Sequence, residues 1–237
     1  MPLLAAGVCY FARLMSVFAA IPLSAIFDGL LTYLCLLILL TFHEFAHAWV
    51  AWKCGDDTAR RLGRVSLNPV VHMDLTGTVI LPLLVVFLSA ADSQLANFII
   101  GWGKPVPVNP YNLRRPRRDD TLVALAGPAM NLLLAVGLMV LARIFVAANL
   151  AGMVAVAVRM TLISLILCFF NLLPIPPLDG SHVLKNAIGM RDETYIRLCR
   201  FGFLMVIVAI QLPPVRGLLH FATVTAFNSI VHVVGLA

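Results

Sequence analysis

Six stretches of this 237-residue chain are long and nearly free of charge: approximately 3–26, 29–52, 77–100, 121–148, 151–174 and 199–236. A helix needs about 20 residues to cross the hydrocarbon of a bilayer, so these runs are of spanning length. Composition agrees. Hydrophobic residues make up 61% of the chain and charged residues only 12%, about half the share usual in a soluble domain. The expected fold is an all-α integral membrane protein with about 5–6 transmembrane helices. With no Gly/Ser-rich linker or low-complexity tract, 1–237 reads as a single membrane-embedded domain, with its core in 29–190 and accessory membrane segments at 1–28 and 193–237. The first run has no basic stretch ahead of it, so it reads as a retained segment rather than a cleaved signal. The last run is interrupted by "QLPPVRG", Gln211 to Gly217.

The net charge of +6 does not point to nucleic acid, because the basic residues sit in short loops beside apolar runs. Arg60, Arg61 and Arg64 form one group, Lys104, Arg114, Arg115, Arg117 and Arg118 a second, and Lys185, Arg191, Arg197 and Arg200 a third. Loops marked in this way face the cytoplasm. If 53–76 and 101–120 both do, 77–100 is no simple span, and it is too short for two. It is expected to be a re-entrant or membrane-surface segment, with "GWGKPVPVNP", Gly101 to Pro110, extended because its prolines forbid helix. Such backbone is tolerated at membrane depth only where protein buries it or water lines it, so the region near 77–110 is expected to line a cavity. Segment 29–52 then ends in the cytoplasm, 121–148 leaves it and 151–174 returns. The five cysteines, Cys9, Cys35, Cys54, Cys168 and Cys199, are odd in number, form no CxxC and lie mostly in apolar runs. They read as buried thiols rather than a disulfide framework.

Against this background "LLILLTFHEFAHAWVAW", Leu36 to Trp52, needs an explanation. An ionisable group at the centre of a membrane helix costs roughly 2.5–3.5 kcal/mol on insertion scales. His43 and His47 are four residues apart and share one helix face. Two neutral imidazoles so placed can bind one zinc ion, and Glu44, the next residue after His43, can take a proton from water that the metal acidifies. A catalytic zinc wants a third protein ligand and an open position. Candidates are His72, His182, His220, His232 and a few carboxylates, of which Asp179 in "NLLPIPPLDGSH", Asn171 to His182, is the best placed. Pro174, Pro176 and Pro177 must interrupt the returning helix there, which lets a carboxylate turn inward. From the residues alone, a ligand and a capping aspartate ahead of a helix from Ser181 explain Asp179 equally well. His182 is a second choice of ligand, or an interface histidine.

"HEFAH", then "LAGPAMN" (Leu125 to Asn131), then "NLLPIPPLDG" resemble the site-2 protease family of intramembrane zinc metalloproteases, and in particular its small members without PDZ or CBS domains. The similarity runs over roughly residues 30–190, through "RRLGRVSLNPVVHMDLTGT" and "FIIGWGKPVPVNPYNLRRP". The resemblance implies one zinc per chain held by His43, His47 and Asp179, with Glu44 as general base and acid. It implies that Asn171 holds substrate or stabilises the oxyanion, and that Asn131 helps build the site. On physical grounds Asn131 reads as a helix–helix hydrogen bond, and Gly127 and Pro128 as a packing notch and an early helical turn. The "KPVPVN" segment offers an edge to an unwound substrate strand. Loop 53–76 and segment 77–110 are candidates for gating.

Two departures from the related pattern, Leu75 where a proline is usual and "CGDDTARR" where a histidine–proline pair often precedes the threonine, bear on the shape of loop 53–76. There His72 and Asp74 could form a second metal site or merely a solvated loop. The expected function is zinc-dependent endoproteolysis of membrane-spanning or membrane-anchored proteins. The expected location is a prokaryotic inner membrane, multi-pass, with the active site toward the cytoplasm. A membrane metal-ion transporter and a catalytically inactive, partner-binding homologue are the rival readings.

Overall fold

The computed structural model describes residues 22–90 and 102–236. Most of the 3–26 run, Cys9, and the stretch 91–101 fall outside them. Among the described residues every regular element is helical: α1 Leu23–Lys53, α2 Thr58–Arg61, α3 Leu81–Ala90, α4 Pro116–Ala147, α5 Ala151–Asn171, α6 Asp179–Ala187, α7 Asp192–Cys199, α8 Gly202–Gln211 and α9 Pro213–Val234, with short 3-10 turns and a π-helical stretch, Leu75–Ile80, leading into α3. Helices α1, α4, α5 and α9 are long and apolar enough to span a membrane, while Leu75–Ser89 and α8 are apolar but shorter. This is an all-α integral membrane protein.

The sequence explains the breaks. Pro213 and Pro214 end the run that starts at Gly202, so 199–236 becomes one short helix and one of spanning length. Asn149, with φ 55°, turns α4 into α5 as the expected hairpin. Helix α4 starts at Pro116, earlier than 121, and Pro128 therefore lies inside it rather than in an early turn. A proline at the first helical position is pre-organised for the start, and this one lies just beyond the basic loop.

The described residues divide into two compact units, one within Met1–Leu34 and Asp74–Gly103, the other within Cys35–Met73 and Lys104–Ala237. In the first, Asp74 caps the π-helical stretch, its Oδ1 accepting from the Thr76 and Gly77 amides at 3.0 and 2.7 Å. Tyr33 donates to the Thr78 carbonyl at 2.9 Å, and Thr78 Oγ1 donates to the Trp102 carbonyl at 2.7 Å. From Trp102 to Val108 the chain has no regular secondary structure, as the prolines dictate.

The second unit is packed as lipid demands. Many of its buried positions are small, among them Ala46, Ala48, Ala51, Ala124, Ala135, Ala142 and Ala157, with Thr161 and Ser164, beside the larger Leu39, Met139 and Leu165. Large side chains such as Leu133, Ile144 and Phe221 point outward. Lipid tails are as apolar as leucine, so helices gain little by hiding leucine from them. They gain by close backbone approach, which small residues allow. One apolar cluster, Met139, Ala142 and Ala157 with Phe145, Phe227 and Ile230 against it, ties α4, α5 and α9 together.

Two basic loops meet at the end of α1. Gly55 turns the chain with φ +110°, a conformation that favours glycine. The next residue, Asp56, is fully buried. Its carboxylate accepts from Thr58 N and Oγ1 at 3.1 and 2.5 Å, Asn109 N at 2.7 Å and Asn112 Nδ2 at 3.1 Å. Arg114 N donates to the Cys54 carbonyl at 3.1 Å. The loops following Lys53 and preceding Pro116 are therefore joined at one end of α1. Reporter fusions near residues 65 and 112 should read the same compartment, and opposite readings would refute the arrangement.

Burial by itself would raise the Asp56 carboxyl's pKa. The hydrogen bonds from Thr58, Asn109 and Asn112 outweigh it and hold the pKa below the ordinary 3.8. A depressed carboxyl contributes stability that is complete above its unfolded value and is lost as pH falls through its lower folded value. Asp56→Asn should cost about 1–3 kcal/mol, since it leaves amide donors facing an amide. Thermal unfolding in detergent should show that cost at neutral pH and a gap that narrows toward pH 3.

Candidate metal centre

Helix α1 carries His43, Glu44 and His47 at its buried end, and all three are nearly inaccessible. One helical turn separates the two imidazoles, whose Nε2 atoms are 3.0 Å apart. The third partner comes from the break after α5. The chain turns at Leu172–Leu178, and α6 begins at Asp179, two residues before Ser181. Gly180 makes this turn possible, because a Cβ there would run into the Leu172 and Leu173 carbonyls. Asp179 does not cap the helix. Its Oδ2 lies 3.3 Å from His43 Nε2 and 3.4 Å from His47 Nε2.

The donor set of this cluster fits a metal ion. His47 Nδ1 is 2.6 Å from the Val123 carbonyl, which can only accept, so Nδ1 carries the proton and Nε2 presents a lone pair. Asp179 Oδ2 is buried without a hydrogen-bond partner. Protonating both rings to pair with Asp179 would put two positive imidazoles 3.0 Å apart. A cation among the three atoms resolves the conflict. Tetrahedral zinc with ligands about 2.0–2.1 Å away spaces them about 3.3 Å apart, which these distances approach. Asn131, fully buried on α4, sits beside His43 with its amide nitrogen 3.1 Å from Nδ1, and its Oδ1 has no partner. With Nε2 on a metal, His43 keeps its proton on Nδ1, and the amide turned end for end gives Oδ1 that proton.

The wall opposite the imidazoles is Gly127. A Cβ built on it would overlap the Nε2 atoms of both rings. The glycine notch holds open the volume into which the three ligand atoms point. Pro128 removes an N–H from the helical ladder close to Val123, the residue whose carbonyl fixes the His47 tautomer.

The chain matches peptidase family M50 over residues 31–151 and 144–210, which includes all of these residues. It belongs to that family. It is 36% identical over 196 residues to the "Putative zinc metalloprotease YwhC" of Bacillus subtilis, covering 78% of this chain and 83% of that protein. It is 31% identical to the proteins named "Putative zinc metalloprotease Rip2" in Mycolicibacterium smegmatis (81% of this chain, 71% of the relative) and Mycobacterium tuberculosis (76% and 66%). No solved structure gives a significant match. This M50 peptidase is thus a site-2 protease-like zinc metalloprotease.

Among the described residues, His43, His47 and Asp179 are the one His/Cys/Asp/Glu group spaced for a metal ion. The other candidate histidines go elsewhere. His182 is 3.1 Å from Asp120, in a polar contact between α6 and α4 that also includes Asn186. His72 is buried with Nε2 on the Ser66 carbonyl at 2.8 Å, so it belongs neither to a solvated loop nor to a metal group. Asn171 donates to the Leu167 carbonyl at 2.9 Å within its own helix and makes no contact with the three ligands' hydrogen bonds. Cys35, Cys54, Cys168 and Cys199 are free thiols. Gly127's role as the wall of the metal volume had no signal in the sequence beyond the GPxxN pattern, because three-dimensional contact defines it.

Gly127→Ala should abolish zinc retention while leaving the helix content unchanged, measured by metal analysis and circular dichroism on protein purified in detergent. Asn131→Ala should weaken zinc binding by about 10- to 100-fold in chelator competition, the usual effect of losing a hydrogen bond behind a metal histidine.

Proposed function

We propose that this chain is an endopeptidase that cuts membrane-spanning or membrane-anchored proteins within or near the bilayer. We further propose that it resides in a prokaryotic inner membrane with its active site toward the cytoplasm. The observation carrying this reading is the convergence of two imidazoles and a carboxylate beside a buried glutamate, on a helix apolar enough to span. The basic loops at the same end of α1 support the cytoplasmic orientation.

In this reading His43, His47 and Asp179 hold the zinc. Zinc in such a site supplies Lewis acidity, polarising a peptide carbonyl and making water acidic near neutral pH. Glu44 takes the proton that attacking water loses and returns it to the leaving amine. Asn131 fixes the His43 ring, and the Val123 carbonyl fixes His47. Asn171 holds substrate or stabilises the oxyanion, for which its side chain must exchange the Leu167 carbonyl for the substrate. A helical peptide bond is already hydrogen-bonded and sterically shielded, so the substrate must unwind before it is cut.

Glu44→Gln should retain one zinc per chain and lose cleavage of a transmembrane test protein in detergent by at least about 100-fold, the usual scale for a general base. Cleavage that survives the substitution would remove Glu44 from this role, and transmembrane metal flux that survives it would favour a transporter.

A further inference from the structure

Among the described residues, the buried side-chain atoms without a hydrogen-bond partner are Arg64 Nε and Nη1, His72 Nδ1, Asn131 Oδ1 and Asp179 Oδ2. The last two belong to the metal centre. The first three belong to Arg64 and His72. Arg64 is 5% exposed and His72 is 1% exposed. Arg64 uses only Nη2, which donates to the Lys104 and Pro105 carbonyls at 2.5 and 2.9 Å. His72 grips the same dipeptide from its own main chain, the Lys104 amide donating to the His72 carbonyl at 2.9 Å. Arg64 and His72 thus hold Lys104 at its carbonyl and at its amide.

A buried guanidinium with two idle donors and no carboxylate within ion-pair distance calls for an acceptor. His72 adds the complementary group. Its Nε2 donates to the Ser66 carbonyl, so Nδ1 offers a lone pair. Burial lowers the His72 pKa, which keeps the ring in that neutral form. Two donors and an acceptor, on residues that both hold Lys104, match a peptide's main chain. A phosphate or other anion matches less well, since it would face the His72 lone pair.

We propose that Arg64 and His72 form a main-chain subsite, where Arg64 Nε and Nη1 donate to a carbonyl of the unwound substrate and His72 Nδ1 accepts from one of its amide N–H groups. The proposal rests on the proteolytic reading above and adds the feature that the chain recognises: exposed main chain, independent of side-chain sequence. Substrate selection would then act on which helices can unwind.

The test uses the zinc-loaded full chain in detergent and competition against a fluorescent hydroxamate, a group that chelates zinc through its own oxygens. Acetohydroxamate reports the metal centre alone, while a tripeptide hydroxamate also engages the subsite. Wild type should prefer the tripeptide. Arg64→Lys, which keeps a donor for the Lys104 and Pro105 carbonyls, should lose about tenfold or more of that preference with acetohydroxamate binding unchanged. A second arm changes the ligand. Replacing one tripeptide amide by an ester, which removes the N–H offered to His72, should weaken binding to wild type at a single position and have no effect on His72→Phe. Full preference in Arg64→Lys, an ester penalty equal in wild type and His72→Phe, or displacement of the tripeptide arm by millimolar inorganic phosphate would overturn the subsite. Failure of acetohydroxamate itself to bind wild type would instead bring down the metal centre, and the subsite with it.

Discussion

Three lone-pair atoms held 3.0–3.4 Å apart with too few protons to share between them set the terms for the rest of the structure. In water, solvent would dissipate such a cluster. In a site sealed by helices, uncompensated acceptors are expensive, and a cation among them would compensate all three. The surroundings serve that requirement. Val123 and Asn131 occupy the far nitrogens of the two rings, and Gly127 leaves the central volume empty of side chain.

The close fit also explains the use of small residues. Ala124, Gly127, Ala135 and Ala142 of α4 and Ala157, Thr161 and Ser164 of α5 are buried, and Ser164 Oγ donates to the Asn131 carbonyl at 2.7 Å, bonding the two helices at the level of the site. A leucine-rich interface would have kept the helices apart and placed the ligands out of mutual reach. Close approach and metal chemistry are therefore parts of one packing solution.

The sequence made the local chemistry legible and left the contacts illegible. HEFAH puts His43 and His47 on one helix face, with Glu44 next to His43, because helical periodicity fixes the spacing. The prolines after Asn171 announce a break, and two basic loops announce a common side. Asp179 was balanced between cap and ligand because a carboxylate ahead of a helix serves either purpose locally, and only its distance to His43 and His47 separates the two. His72 was open between solvent and metal for the same reason. Its burial, and that of Arg64 and Asp56, comes from residues 104–112, a chain segment whose partners no periodicity reveals. Helix α4 starting at Pro116 was missed because charged residues mask the extra turn, although the proline at its first position was the available signal.

Asp179 sits far along the chain from His47, so a metal held by both would have a mechanical role as well. Clamping the two together closes a loop of roughly 130 residues, and a cross-link of that length removes much of the conformational freedom of a loosened chain. The gain depends logarithmically on free metal concentration. A cell starved of zinc would therefore hold a slacker molecule as well as an idle one, with α6 free to part from the histidine helix and expose the interior to degradation.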